Sequence, residues 1–112
     1  MHKQLELLIM LHDMDLLLQE VNHEKKVGFE IKKQKNDIHK ARDKVAEDLE
    51  PSLLKRYEKL LEKYPRAVAP VIDGVCYGCF VTLPTSIVIR MNKNEEVAIC
   101  PNCGRFIYWF ED

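Results

Sequence analysis

The sequence predicts an α+β protein: an antiparallel helical hairpin or coiled coil, followed by a small β module held by cysteines. Three observations carry this. Residues 2–49 contain no proline and a single glycine, Gly28, and their apolar residues recur at helical spacing. Four of the five prolines follow Tyr64. All four cysteines lie in that later part, as "CYGC" at 76–79 and "CPNC" at 100–103.

In the first segment, Leu7, Leu11, Met14, Leu18 and Val21 step by four and three, the seam of a coiled coil. Val27, Ile31, Gln34, Ile38, Ala41, Val45 and Leu49 repeat the pattern in another register. A stagger in the coil or a break at "KKVGF" accounts for the mismatch. Because no Ser, Thr, Asp or Asn follows Gly28 to cap a new helix, the expectation is one long helix over about 2–49 with a local irregularity. Pro51 fits the first turn of a second, antiparallel helix over about 51–64, which Pro65 ends.

At 1.5 Å per residue the first helix would be about 70 Å long and the second about 20 Å. The N-terminal part, rich in leucine from Leu5 to Leu18, would then be uncovered. A second copy, a fold-back at Gly28 or a partner must cover it. A homodimer through Leu7, Leu11, Met14, Leu18 and Val21 is expected. Residues 1–65 are thus a helical unit, and 66–112 a β module of short strands with turns at Asp73-Gly74 and near 92–95.

Hydrophobic content of 46% and charged content of 31% fit a folded chain of 112 residues, and a net charge of −1 argues against a strongly cationic nucleic-acid binder. That sum hides a pattern. Residues 1–24 carry −4 and residues 25–44 carry +5. No export signal or membrane span is visible, so the expected compartment is the reducing cytoplasm, where disulfides are rare.

The cysteines read Cys76-x2-Cys79, twenty residues, then Cys100-x2-Cys103. Two residues between thiolates let one tight turn present both sulfurs to one metal. Two such turns complete a tetrahedral S4 site, which suits Zn²⁺ best. Gly78 and Gly104 help the backbone curl around the ion. The result is a zinc ribbon with one structural Zn²⁺ per chain. Rubredoxin-like iron shares this spacing, which alone does not separate the two metals. A thioredoxin-type dithiol would want its pair at a helix N-terminus in a βαβ context, and neither pair has it.

Nothing else suggests chemistry. His2, His12, His23 and His39 never pair at three or four residues, so they read as surface or seam residues. Asp13 and Asp15 diverge on a helix. No enzyme is expected. The basic belt of Lys25, Lys26, Lys32, Lys33, Lys35, Lys40, Arg42 and Lys44 is either a solvated helix face or a track for nucleic acid or an acidic partner. In the last strand, Phe106, Tyr108 and Phe110 alternate with Ile107 and Trp109, so one face covers the module's core and the other meets the helices or a partner.

A helical region, then "LLKRYEKLLEKYPRAVAPVIDGVCYGCFVTLP", then "EVAICPNCGRFIYW", resembles the bacterial C4-type zinc ribbon proteins with N-terminal coiled-coil helices. The resemblance is most specific from Leu53 to Trp109. It implies that Cys76, Cys79, Cys100 and Cys103 ligate zinc at one end of an elongated helical hairpin. It also implies an adaptor in flagellar or secretion regulation, whose relatives bind the alternative sigma factor sigma-54 and in some cases nucleic acid. The expectation is a non-enzymatic adaptor for protein partners, a sigma factor among the candidates, with nucleic-acid binding through the belt as the alternative.

Overall fold

Gln4 and Asp48, near opposite ends of the expected long helix, touch. The Gln4 side-chain amide donates to the Asp48 carbonyl at 3.2 Å, and its oxygen accepts from the Glu50 backbone N–H at 2.9 Å. A straight helix would hold them more than about 60 Å apart. The computed structural model describes residues 1–23, 29–90 and 93–110, with the side chains of 21–23, 29–34, 87 and 90 outside the description. Its first two helices are α1 (Lys3–His23) and α2 (Phe29–Asp48), and they pack antiparallel. The single helix over 2–49 is therefore corrected. The chain folds back between the two heptad registers, and its longest dimension is 52 Å. Gly28 itself lies outside the described residues.

The physical reason lies in α1, whose apolar surface exceeds one stripe. Folding back lets α2 cover one side of it while α3 (Pro51–Lys63) covers another. Pro51 opens α3, and Tyr64 closes it in an extended conformation that Pro65 favours. Contacts from Tyr57 to Asp15 and from Gln19 to the Pro65 carbonyl set α3 alongside α1, running the same way and hence antiparallel to α2.

Leu5, Leu8 and Leu11 are fully buried as a result, each worth about 1.5–3 kcal/mol by transfer from water. Leu7 and Leu18 are also buried, Met14 is half-buried, and Val21 is on α1 with its side chain outside the description. Leu7, Leu11 and Leu18 of the expected self-association surface are thus internal.

Four short strands follow: β1 (Val68–Ile72), β2 (Val75–Cys76), β3 (Ala98–Ile99) and β4 (Phe106–Trp109), with a one-and-a-half-turn helix, α4 (Thr85–Arg90), between β2 and β3. The sheet order is β2-β1-β4-β3. β1 and β4 are parallel, with Val68 opposite Phe106, and the other pairs are antiparallel. Asp73 and Gly74 both take positive φ, 51° and 77°, which makes the β1–β2 connection a type I′ hairpin turn.

β4 divides the core. Phe106 and Tyr108 face the helices, packing with Leu7, Leu11, Tyr57 and Leu60. Ile107 and Trp109 face a second cluster built on Cys76, Cys100, Leu83 and Ala98. The helices and the module therefore share one apolar layer across the sheet. A polar clamp adds to it. The His2 backbone N–H donates to the Asn94 carbonyl, and the Asn94 side chain accepts from the Trp109 N–H and donates to its carbonyl. Beyond the end of β3, that amide takes the place of a strand neighbour. Among the described residues, no helix is long and apolar enough to cross a membrane.

Candidate metal centre

The two Cys-x-x-Cys turns are built alike. In the first, Cys76 N–H donates to the Val81 carbonyl at 3.1 Å and Phe80 N–H to the Cys76 carbonyl at 2.7 Å. In the second, Cys100 N–H donates to the Arg105 carbonyl at 2.9 Å and Gly104 N–H to the Cys100 carbonyl at 2.9 Å. Each turn closes on a residue with positive φ, Phe80 at 61° and Gly104 at 80°. The sheet brings the two turns together. β2 ends in Cys76, and β3 leads directly into Cys100.

The four sulfurs lie within 4.8 Å of one another. Cys76 and Cys103 are 4.0 Å apart, and Cys79 and Cys100 are 3.9 Å apart. A tetrahedron with Zn–S of about 2.3 Å has an edge of about 3.8 Å, so the donor set fits one zinc ion. These separations are nearly twice a disulfide bond length, and all four thiols are free. Without a cation the site resists full ionisation. Burial pushes Cys100 up to about 12 and also raises Cys76. For Cys79 burial acts in the same direction, but the Asn102 side chain, the Val81 backbone and the neighbouring thiols outweigh it and bring this group down to about 7. A bound divalent cation supplies the charge that lets all four act as thiolates.

Residues 75–107 match the family model of the C4-type zinc ribbon domain. The C-terminal module is a C4-type zinc ribbon. Cys76, Cys79, Cys100 and Cys103 are its ligand set for one structural zinc. Among solved structures, the CT398 protein of Chlamydia trachomatis superposes with a TM-score of 0.62 at 28% identity, over 71% of this chain and 34% of that one. The HP0958 protein of Helicobacter pylori superposes with a TM-score of 0.66 at 25% identity, over 74% and 35% respectively. The chain spans about a third of the length of these two structures. Comparison with curated proteins finds no significant match.

Four side chains of the basic belt are described, and they differ in exposure. Arg42 turns inward, its Nε 2.6 Å from Asp15. Lys35 is half-buried, while Lys40 and Lys44 are exposed. Lys25 and Lys26 lie outside the described residues, and Lys32 and Lys33 are on α2 with undescribed side chains.

The sequence reading missed a notch beside the first knuckle of the ribbon. Pro65, Arg66, Tyr77, Gly78, Phe80 and Arg105 line about 240 Å³. Arg105 is buried, donates from Nε to the Arg66 carbonyl at 2.9 Å and stacks its guanidinium 3.8 Å from the Tyr64 ring centre. Gly78 makes room for it, since a Cβ there would lie 2.5 Å from Arg105 Cδ. A glycine inside the first Cys pair was visible in the sequence. That Arg105 would fill the space beside it was not.

Proposed function

We propose that this protein is a non-enzymatic adaptor, in which the zinc ribbon is a rigid head that docks a protein partner and the helices hold that head in place. The observation that carries this reading is the first knuckle. Tyr77, Phe80 and Val81 are all exposed there, with Phe80 at 71%, and the two rings lie 5.6 Å apart. Large apolar side chains clustered on a metal-held turn suit a binding surface that loses little entropy on docking. A metal held by four thiolates has no open position for water or substrate, which supports a structural role for the zinc. The family resemblance makes a sigma factor or another transcription component in the cytoplasm the first partner to look for.

The test is a pull-down of tagged, zinc-loaded protein from native lysate, split into nuclease-treated and untreated halves. A discrete protein partner that survives nuclease is expected. Partners that vanish with nuclease would transfer the reading to nucleic acid and the exposed lysines of α2.

A further inference from the structure

We propose that the notch beside the first knuckle is a docking site for an acidic residue of a protein partner, a carboxylate flanked by an apolar side chain. The proposal rests on the adaptor reading and deepens it.

Phe80 is the first ground. Glycine occupies the matching left-handed position of the second knuckle, where it carries no steric cost, whereas a bulky aromatic there is strained. The ring gains little burial in exchange, being 71% exposed. A strained, solvent-facing aromatic on an otherwise symmetric device points to an external use.

Charge is the second. Arg66 and Arg105 both line the notch, and among the described residues no carboxylate does. Among the described residues, Arg105 engages only its Nε in a hydrogen bond, and stacking on Tyr64 keeps its charge from swinging into solvent. One cation held by stacking and an exposed one near it, beside an apolar wall, complement a carboxylate carried by a hydrophobic segment.

Ring geometry favours a side chain over a stacked nucleobase, because the Tyr77 and Phe80 rings are tilted by 57° rather than laid out as parallel stacking platforms.

The experiment pans a displayed library of random peptides on the zinc-loaded protein, then measures recovered peptides against Phe80→Gly and Arg66→Glu. Phe80→Gly keeps the turn, and Arg66 is exposed, so both variants should retain the near-UV signal of Trp109. The expected result is enrichment of Asp or Glu next to Leu, Phe or Trp, with binding weakened about tenfold or more by each variant. Failure to recover peptides, absence of acidic enrichment, or equal binding to Arg66→Glu would overturn the proposal. So would oligothymidylate binding that both variants abolish, which would assign the notch to nucleic acid. The lysate pull-down repeated with both variants separates the two levels. A nuclease-resistant partner kept by both variants removes the notch and leaves the adaptor, whereas no such partner on the wild-type protein removes the adaptor itself.

Discussion

The Tyr57 hydroxyl donates a 2.5 Å hydrogen bond to one carboxylate oxygen of Asp15, whose other oxygen accepts from Arg42 Nε at 2.6 Å. One acidic side chain of α1 thus ties α2 and α3 together where the three helices meet. Burial, and then the bond to Asp15, raise the Tyr57 pKa, so the hydroxyl stays a donor across the working pH range. Asp15→Ala would leave a buried phenol and a mostly buried guanidinium without their acceptor. The expected cost is about 2–3 kcal/mol, less than for a fully buried pair because Arg42 reaches solvent. Asp13→Ala, at the exposed position two residues away, should change stability by less than about 0.5 kcal/mol. Urea melts of the zinc-loaded variants compare the two, and equal midpoints would dispose of the claim.

Zinc removal should reach beyond the ribbon. Phe106, Val68 and Ala67 belong to the same cluster as Leu7, Leu11 and Tyr57, so the helices lose one wall of their core when the knuckles open. Structural zinc contributes on the order of 10 kcal/mol to modules of this size. Chelation or Cys103→Ser should therefore abolish the near-UV signal of Trp109 and lower the melting temperature of the helical signal at the same time. Helices that melt unchanged after complete chelation would show that the two parts are independent.

The metal ligands were legible from spacing because Cys-x-x-Cys chemistry is local: each pair needs one turn, and the turn is written in four residues. The Asp73-Gly74 turn and the start and end of α3 were legible for the same reason. The path of the first fifty residues was not. Continuous helix and hairpin share the same heptad positions, and the choice depends on burying α1 on more than one side, which is a property of the tertiary structure. Asp15, Arg42 and Tyr57 were unreadable as a unit for a related cause. Arg42 and Tyr57 lie 27 and 42 residues from Asp15 along the chain, and the three meet only because of the fold-back. Likewise the alternation of β4 announced two apolar faces without saying which face met the helices.

Glycine at position 78 and phenylalanine at position 80 have opposite consequences for the first knuckle. Gly78→Ala would place its methyl 2.5 Å from Arg105 Cδ and 3.1 Å from Ala69 Cβ, next to the sheet. Arg105 would have to leave Tyr64 and the Arg66 carbonyl, at an expected cost of about 1–3 kcal/mol. Phe80→Gly relaxes the positive φ, offset by greater freedom of the unfolded chain, and should leave stability within about 1 kcal/mol of wild type. Denaturation at saturating zinc, paired with a competitive chelator titration, reads both. The prediction fails if Phe80→Gly is the more damaging of the two.

His12 sets an acid limit on the fold. It is buried beside Tyr57 in an edge-to-face contact, and both of its ring nitrogens lack a hydrogen-bond partner. Burial first, and then the charge of Arg66, hold its pKa below the usual 6.5, with Asp13 and Asp15 pulling weakly the other way. The unfolded chain therefore binds a proton more readily than the folded one. Stability from this group is complete above about pH 6.5 and is lost as the pH falls below that value, by at most about 1.4 kcal/mol per pH unit until the folded-state pKa is passed. His12→Phe keeps an aromatic ring against Tyr57 and removes the titration. Between pH 7.5 and 5.5, zinc-loaded wild type should lose more stability than His12→Phe, the difference isolating His12 from proton competition at the cysteines, which both proteins share. Parallel stability profiles for the two proteins over that interval would mean that His12 takes up its proton as easily in the folded chain as in the unfolded one.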